Sequence, residues 1–347
     1  MAMNSEHGTT GSPATGAFAP GRVTIMMPVY NGELFLRDAL SSLLAQTYAN
    51  FEIVILDNQS VDGSAAICRE FAARDARVRH IVDERKRNPH EAANRLAQFI
   101  AGEFCMIACD DDVWEPSYLE ETVAELMARP GLGIAYTNAR YIDVVGRRGS
   151  RSLISGRAIY LRQYSRTANA AHYVLTRRVL PIVFGVFRSE VYLRAIPFDT
   201  FDETIADVDN LFVCKVLLDT PVHCIDRILF HYRNKFRWAD PDVLKDYPRR
   251  MAWFSVWLYD AKHQYRFLRK LLAAASASRL SLPAMLLVKL AACLSFLHYI
   301  GPVRIRGGIG RLLAKLGLRE GVAQSRDAAA DVRHAALVDA QRDTEAK

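Results

Sequence analysis

Three consecutive aspartates, Asp110-Asp111-Asp112, follow the apolar run Phe104 to Cys109. Carboxylates held this close repel one another unless a cation, a proton or water relieves them. A hard divalent ion, Mg2+ or Mn2+, is the natural relief, and such an ion commonly brings a phosphorylated ligand. The plainer alternative is an exposed acidic turn that caps a helix starting near Pro116. Two more polar clusters follow apolar runs in the same way. Tyr30-Asn31-Gly32 ends Val23–Val29, and Asp57-Asn58-Gln59-Ser60 ends Phe51–Leu56. The six cysteines (68, 105, 109, 214, 224 and 293) form no CxxC pair and have no His at zinc-ligand spacing. They read as small core thiols in a reducing compartment. Cys109 borders the aspartates, but a soft thiolate is a poor ligand for Mg2+.

The elements that must carry these clusters can be read from hydrophobic period. Val23–Val29, Phe51–Leu56 and Phe104–Cys109 have the continuous apolar character of strands buried on both faces. Leu34–Gln46, Asp62–Ala73 and Ala92–Ile100 read as the intervening helices, with a weaker strand at Val78–Val82. Strand alternating with helix predicts an α/β fold with a doubly wound, mostly parallel sheet. Ligands in such sheets bind at the carboxyl ends of the strands, where all three polar clusters fall. Further on, Leu119–Met127 and Val208–Leu218 read as helices, and 134–136, 183–187 and 222–232 as strands.

The order of these motifs resembles the family 2 glycosyltransferases. The opening Val23-Thr24-Ile25-Met26-Met27-Pro28-Val29-Tyr30-Asn31-Gly32 is similar to that family's first strand. Ser42, Leu43, Gln46, Thr47 and Tyr48 resemble the end of its first helix. Phe51 through Ser64 matches its second-strand motif, and Asp111-Asp112-Val113-Trp114-Glu115-Pro116 resembles its metal motif, with Leu119 following. The match covers residues 22 to about 127 and extends more weakly to about 235. It implies an A-type glycosyltransferase fold and a nucleoside-diphosphate-sugar donor. By this resemblance Pro28, Tyr30 and Asn31 line the donor site, with the Tyr30 ring on the nucleobase. Asp57 or Asn58 bonds the base, and Asp111 approaches the ribose or pyrophosphate. Asp112 holds Mg2+ or Mn2+, either alone or with Asp110 as a second acid, because Cys109 stands where many members have one. Asn58 likewise stands where many members carry Asp, which leaves the nucleoside open. Ile205-Ala206-Asp207-Val208-Asp209 resembles the family's acidic motif, with Asp207 as the general base and Asp209 its neighbour. N-capping of the following helix is the alternative. Arg233 resembles a donor-side arginine.

Charge divides the chain. Residues 227–320 hold eighteen Lys/Arg against five Asp/Glu, so they carry +13 of a net +7 and leave −6 for the remainder. Between Arg140 and Arg178 stand nine Arg and the single acid Asp143. That patch suits a phosphorylated or acidic-sugar acceptor, or is simply solvated. Leu282–Pro302 has bilayer length at ~20 residues, but Lys289 in its middle and basic flanks on both sides oppose a single span. An in-plane or re-entrant helix on an anionic membrane is the expectation, with a buried helix of the body as the alternative. Nucleic acid is excluded as a partner, because no aromatic-interleaved or helix-turn-helix pattern accompanies the charge.

These readings divide the chain into a flexible leader (1–20), a glycosyltransferase domain (21–240), a helical membrane-associating region (241–322) and a polar tail (323–347). The domain splits into a nucleotide half (21–127) and an acceptor half (128–240). The expected activity is inverting glycosyl transfer onto a glycan or lipid-linked glycan, in the cytoplasm at the inner face of the cell membrane. The rival readings are an inactive, membrane-bound binding module and a nucleotidyltransferase.

Overall fold

The first strand, β1 (Ala19–Val29), sets the architecture because both of its faces are apolar. Val23, Ile25, Met27 and Val29 enter one hydrophobic cluster while Met26 enters another, so helices must cover the sheet on both sides. A computed structural model describes residues 17–142, 148–152, 166–176, 181–198, 208–233 and 253–300. Residues 1–16 of the expected leader, Asp207, about half of the Arg-rich stretch and the tail lie outside these residues, while Ala19 and Pro20, read as leader in the sequence, open β1.

The chain runs β1, α1 (Leu36–Leu44), β2 (Phe51–Asp57), α2 (Ser64–Arg74), β3 (Val78–Val82), α3 (Pro89–Leu96) and β4 (Gly102–Ile107). The two-residue β5 (Val113–Trp114), α4 (Tyr118–Ala128), β6 (Ile134–Ile142) and β7 (Arg148–Ser152) follow. Next come α5 (Arg166–Thr176), β8 (Val186–Arg188), α6 (Ser189–Ala195), α7 (Val208–Asp219) and β9 (Val222–Arg233). Two longer helices, α8 (Trp253–Ala277) and α9 (Leu282–Ile300), complete the described elements.

The strands form one sheet in the order β3-β2-β1-β4-β8-β6-β9-β5, with β7 on β6. β3, β2, β1 and β4 are mutually parallel, in the register Val23 to Phe51 and Val23 to Phe104. Beyond β4 the antiparallel β8 enters, and β9 lies parallel to β6. Strand order reverses at β1, so the crevice at its carboxyl end is the topological switch point.

Helices α1, α2 and α4 cover one face and α3, α5, α6 and α7 the other. The inner sides of α8 and α9 (Phe267, Leu271, Ala275, Val288, Ala291 and Ala292) join the second of these clusters. Among the described residues, no helix is long and apolar enough to cross a membrane.

Candidate active site

The four parallel strands end on the same side of the sheet, and each delivers a polar cluster there. At the end of β1, Asn31 has a positive φ of 52°, which Asn tolerates better than most residues. Its side-chain oxygen accepts from Val61 N at 2.9 Å, and its own N–H donates to Ser60 Oγ at 3.1 Å. Asn31 therefore ties the β1 turn to the β2 turn. A Cβ on the neighbouring Gly32 would stand 2.3 Å from Asp110 Oδ2, so a larger residue there displaces that carboxylate. The Asp110 carboxylate thus lies against the first turn. Tyr30, just past the end of β1, is 40% exposed. Lys86 Nζ sits 4.0 Å from the centre of that ring and donates to the Tyr30 hydroxyl at 2.6 Å.

At the end of β2, the buried Asp57 carboxylate accepts from Ser60 N at 2.9 Å and stands 3.8 Å from His80 Nε2. The buried Asn58 amide is spent on the backbone of Arg87. It donates Nδ2 to Arg87 O and accepts from Arg87 N, both at 2.7 Å. Arg87 in turn grips Asp83, at the end of β3, through Nε (2.6 Å) and Nη2 to its second oxygen (3.1 Å). The loop 83–87 is closed down on Asn58 by these contacts.

The end of β4 gathers the acids. One ligand atom each from Cys109, Asp111 and Asp112 lie within 4.8 Å of one another. Asp112 is fully buried and accepts from Arg233 N at 2.8 Å. The Arg233 guanidinium, 2% exposed, donates Nε to Asp111 O at 2.7 Å and reaches Asp38 at 3.3 Å. It also lies 4.5 Å over the Phe35 ring. The last turn of β9 therefore clamps the aspartate loop, and the antiparallel β5–β9 pair anchors it from below. His231 Nε2 meets Glu115 Oε1 at 2.7 Å in the same clamp. The neighbouring Tyr232 hydroxyl is held well above the ordinary phenol range by burial and by the charge of Asp112.

The grouped carboxylates of Asp111 and Asp112 fit a hard divalent cation, since both present oxygen donors. Asp110, expected to share the metal, is turned toward Gly32, and the thiol of Cys109 takes its place in the group. Asp207 lies outside the described residues, one position before α7 begins. Asp209, on the first turn of α7, meets the buried His90 Nε2 of α3 at 3.1 Å. Sequence reasoning missed Asp83, Asp38, Phe35 and the His231–Glu115 pair. Only Asp83 carried a local signal: an acid closing an apolar strand, as Asp57 does.

The acids thus lie at the topological switch point, where open α/β sheets bind their ligands. S. aureus TarS (residues 1–349) has the same fold, at a TM-score of 0.56 and 15% identity over 80% of this chain and 72% of that one. The structure of that protein with UDP-GlcNAc superposes equally well, at 0.56, and covers 73% of its chain.

Residues 24–189 match the model of Glycosyl transferase family 2, and this part of the chain belongs to that family. GlyA of Streptococcus pneumoniae, a glycosyltransferase, is 34% identical over 119 residues, 33% of this chain and 17% of that protein. WfgD of Escherichia coli is named a UDP-Glc:alpha-D-GlcNAc-diphosphoundecaprenol beta-1,3-glucosyltransferase. It is 31% identical over 121 residues, 35% of this chain and 47% of that one. The chain thus spans less than half the length of these two relatives.

Proposed function

We propose that this protein is a metal-dependent, inverting glycosyltransferase. It moves a sugar from a nucleoside diphosphate to a hydroxyl of a membrane-linked glycan, at the cytoplasmic face of the membrane. The observation that carries the reading is the grouping of Asp111 and Asp112 at the β4 end, beside the exposed Tyr30 ring and the buried Asp57. The activity for which WfgD is named supports a lipid-linked acceptor, and the UDP-GlcNAc complex of TarS supports a nucleotide-sugar donor.

In this reading the Tyr30 ring stacks on the nucleobase, with Pro28 and Asn31 shaping the turn beside it. Asp57 faces the base from the end of β2. Asp111 and Asp112 hold the cation and are kept in position by Arg233. A divalent ion bound there supplies Lewis-acid neutralisation of the diphosphate leaving group. The Asp207 carboxylate takes the proton of the acceptor hydroxyl as that oxygen attacks the anomeric carbon.

A panel of nucleotide sugars offered to the purified protein, with and without chelator, tests the whole reading. Asp112→Ala should abolish metal-dependent donor binding in calorimetry while the fold persists. Asp207→Asn should retain donor binding and lose transfer by the ~10²–10⁴ typical of a missing general base. Donor affinity indifferent to chelator would remove the metal from the proposal. Absence of turnover with every donor would favour a binding module.

A further inference from the structure

We propose that the outer face of α9 is the surface by which this protein lies on an anionic lipid bilayer, with the helix in the membrane plane. The proposal deepens the reading above, since it states how the protein reaches a lipid-linked acceptor. Helix α9 has two unlike sides. Val288, Ala291, Ala292 and Ser295 are buried against the body, where α9 packs on α5 and α8. On the other side Leu282, Leu286, Leu290 and Leu297 recur at helical spacing with Leu287 beside them, all between 44% and 64% exposed. Twelve large apolar side chains are exposed among the described residues, and five of them stand on this one helix. Single exposed leucines need no explanation, but a contiguous row of this kind marks a contact surface.

Charge selects the occupant. Residues 253–300 contain six Lys/Arg and the single acid Asp260, and α9 itself has no acid at all. Arg269 on α8 and Arg279, three residues before Leu282, are exposed. Apolar insertion bordered by cations is the pattern of an interfacial helix, in which leucines enter the acyl boundary and Lys/Arg meet anionic headgroups. Two copies meeting through this face would bring like charge against like charge, with no acid to pair across the seam. Spanning is excluded for α9 by its inner side, which is committed to the protein core. Lys289 at its middle also opposes entry into hydrocarbon.

The test uses the full chain with vesicles of phosphatidylcholine, with or without phosphatidylglycerol, separated by sedimentation. The wild type should sediment with the anionic vesicles, bind neutral ones less, and be released only in part by high salt, because salt screens the charges but not the apolar contact. Leu286→Glu/Leu290→Glu should cut partitioning by at least about tenfold at unchanged melting temperature and donor affinity. Arg269→Glu/Arg279→Glu, a purely surface change, should cut it on anionic vesicles alone and serves if the leucine variant misfolds. Wild type left in the supernatant at low salt, or unaffected partitioning of both variants, would overturn the proposal. A dimer in sedimentation velocity that the leucine variant dissociates, without vesicle binding, would assign the face to a second copy instead. Turnover on a water-soluble acceptor without vesicles tests the enzymatic reading separately. If it fails while vesicles still bind, lipid contact stands and the transferase reading falls.

Discussion

At the scale of single residues, Asn58 stands where many relatives carry an acid and ties down the backbone of Arg87. Its amide nitrogen donates to Arg87 O and its oxygen accepts from Arg87 N. Asn58→Asp, which restores the acid common in relatives, would set a carboxylate against the Arg87 carbonyl and lose a buried donor. It should cost about 1–3 kcal/mol of stability and weaken nucleotide-sugar binding, as read by thermal melting and calorimetry. A tighter-binding variant would show that the β3–α3 loop is not held by this amide. His80 makes a second prediction. Burial holds its imidazole below the ordinary range, against the opposing charge of Asp57 and with a smaller push from Arg69. The folded state then keeps His80 neutral while the unfolded chain takes up a proton near pH ~6.5. Stability from this group is therefore present above ~6.5 and drains away as pH falls toward the lower folded value. The carboxylates of Asp75, held down by Arg77, and of Asp83, where burial is opposed and outweighed by Arg87 together with the backbone N–H groups of residues 84 and 85, act only in a more acidic window. Melting temperature should thus decline as pH falls below about 6.5, and His80→Gln should flatten that decline.

At the scale of elements, the parallel half of the sheet was legible because each strand is a short apolar run with a polar cluster at its end. A strand buried on both faces leaves little choice of side chain, and β1, β2 and β4 fall within a few residues of where the sequence put them. The role of β9 was not legible, because nothing local in His231-Tyr232-Arg233 tells that this strand will close on a loop more than a hundred residues earlier. The clamp exists only after β6 and β9 pair and β5 joins their edge. Arg233, expected among the donor contacts, donates to Asp111 O, and its own N–H holds Asp112. Arg233→Lys keeps the charge but cannot reproduce a guanidinium that spans Asp111, Asp38 and the Phe35 ring. It should lower metal affinity by the roughly 10–100-fold seen when a supporting partner of a ligand is lost, with a smaller effect on nucleotide binding measured in chelator. Equal losses with and without metal would make Arg233 a donor contact after all.

At the scale of the whole molecule, composition sets the basic, apolar C-terminal region apart from the acidic sheet, yet packing joins them. Phe267, Leu271 and Ala275 of α8 and Val288, Ala291 and Ala292 of α9 share one hydrophobic cluster with residues of α3, α5, α7 and the sheet. The sequence could reveal that α9 is apolar nearly all round, but not which side the body would claim. That partition depends on α5, whose Tyr173 and Val174 are also buried in the cluster. A chain cut near Pro248 therefore loses more than a membrane contact. It uncovers the apolar flanks of α5 and α7, and losses of buried Phe or Leu side chains alone cost about 2–5 kcal/mol each in comparable cores. Domains are stable by only ~5–15 kcal/mol, so removing six buried apolar residues at once exceeds what the remaining core can absorb. The truncated protein should aggregate or melt without a cooperative transition in calorimetry, whereas the full chain melts cooperatively. A truncated domain that is monomeric, melts sharply and binds nucleotide sugar would show instead that α8 and α9 are an accessory docked on a self-sufficient sheet.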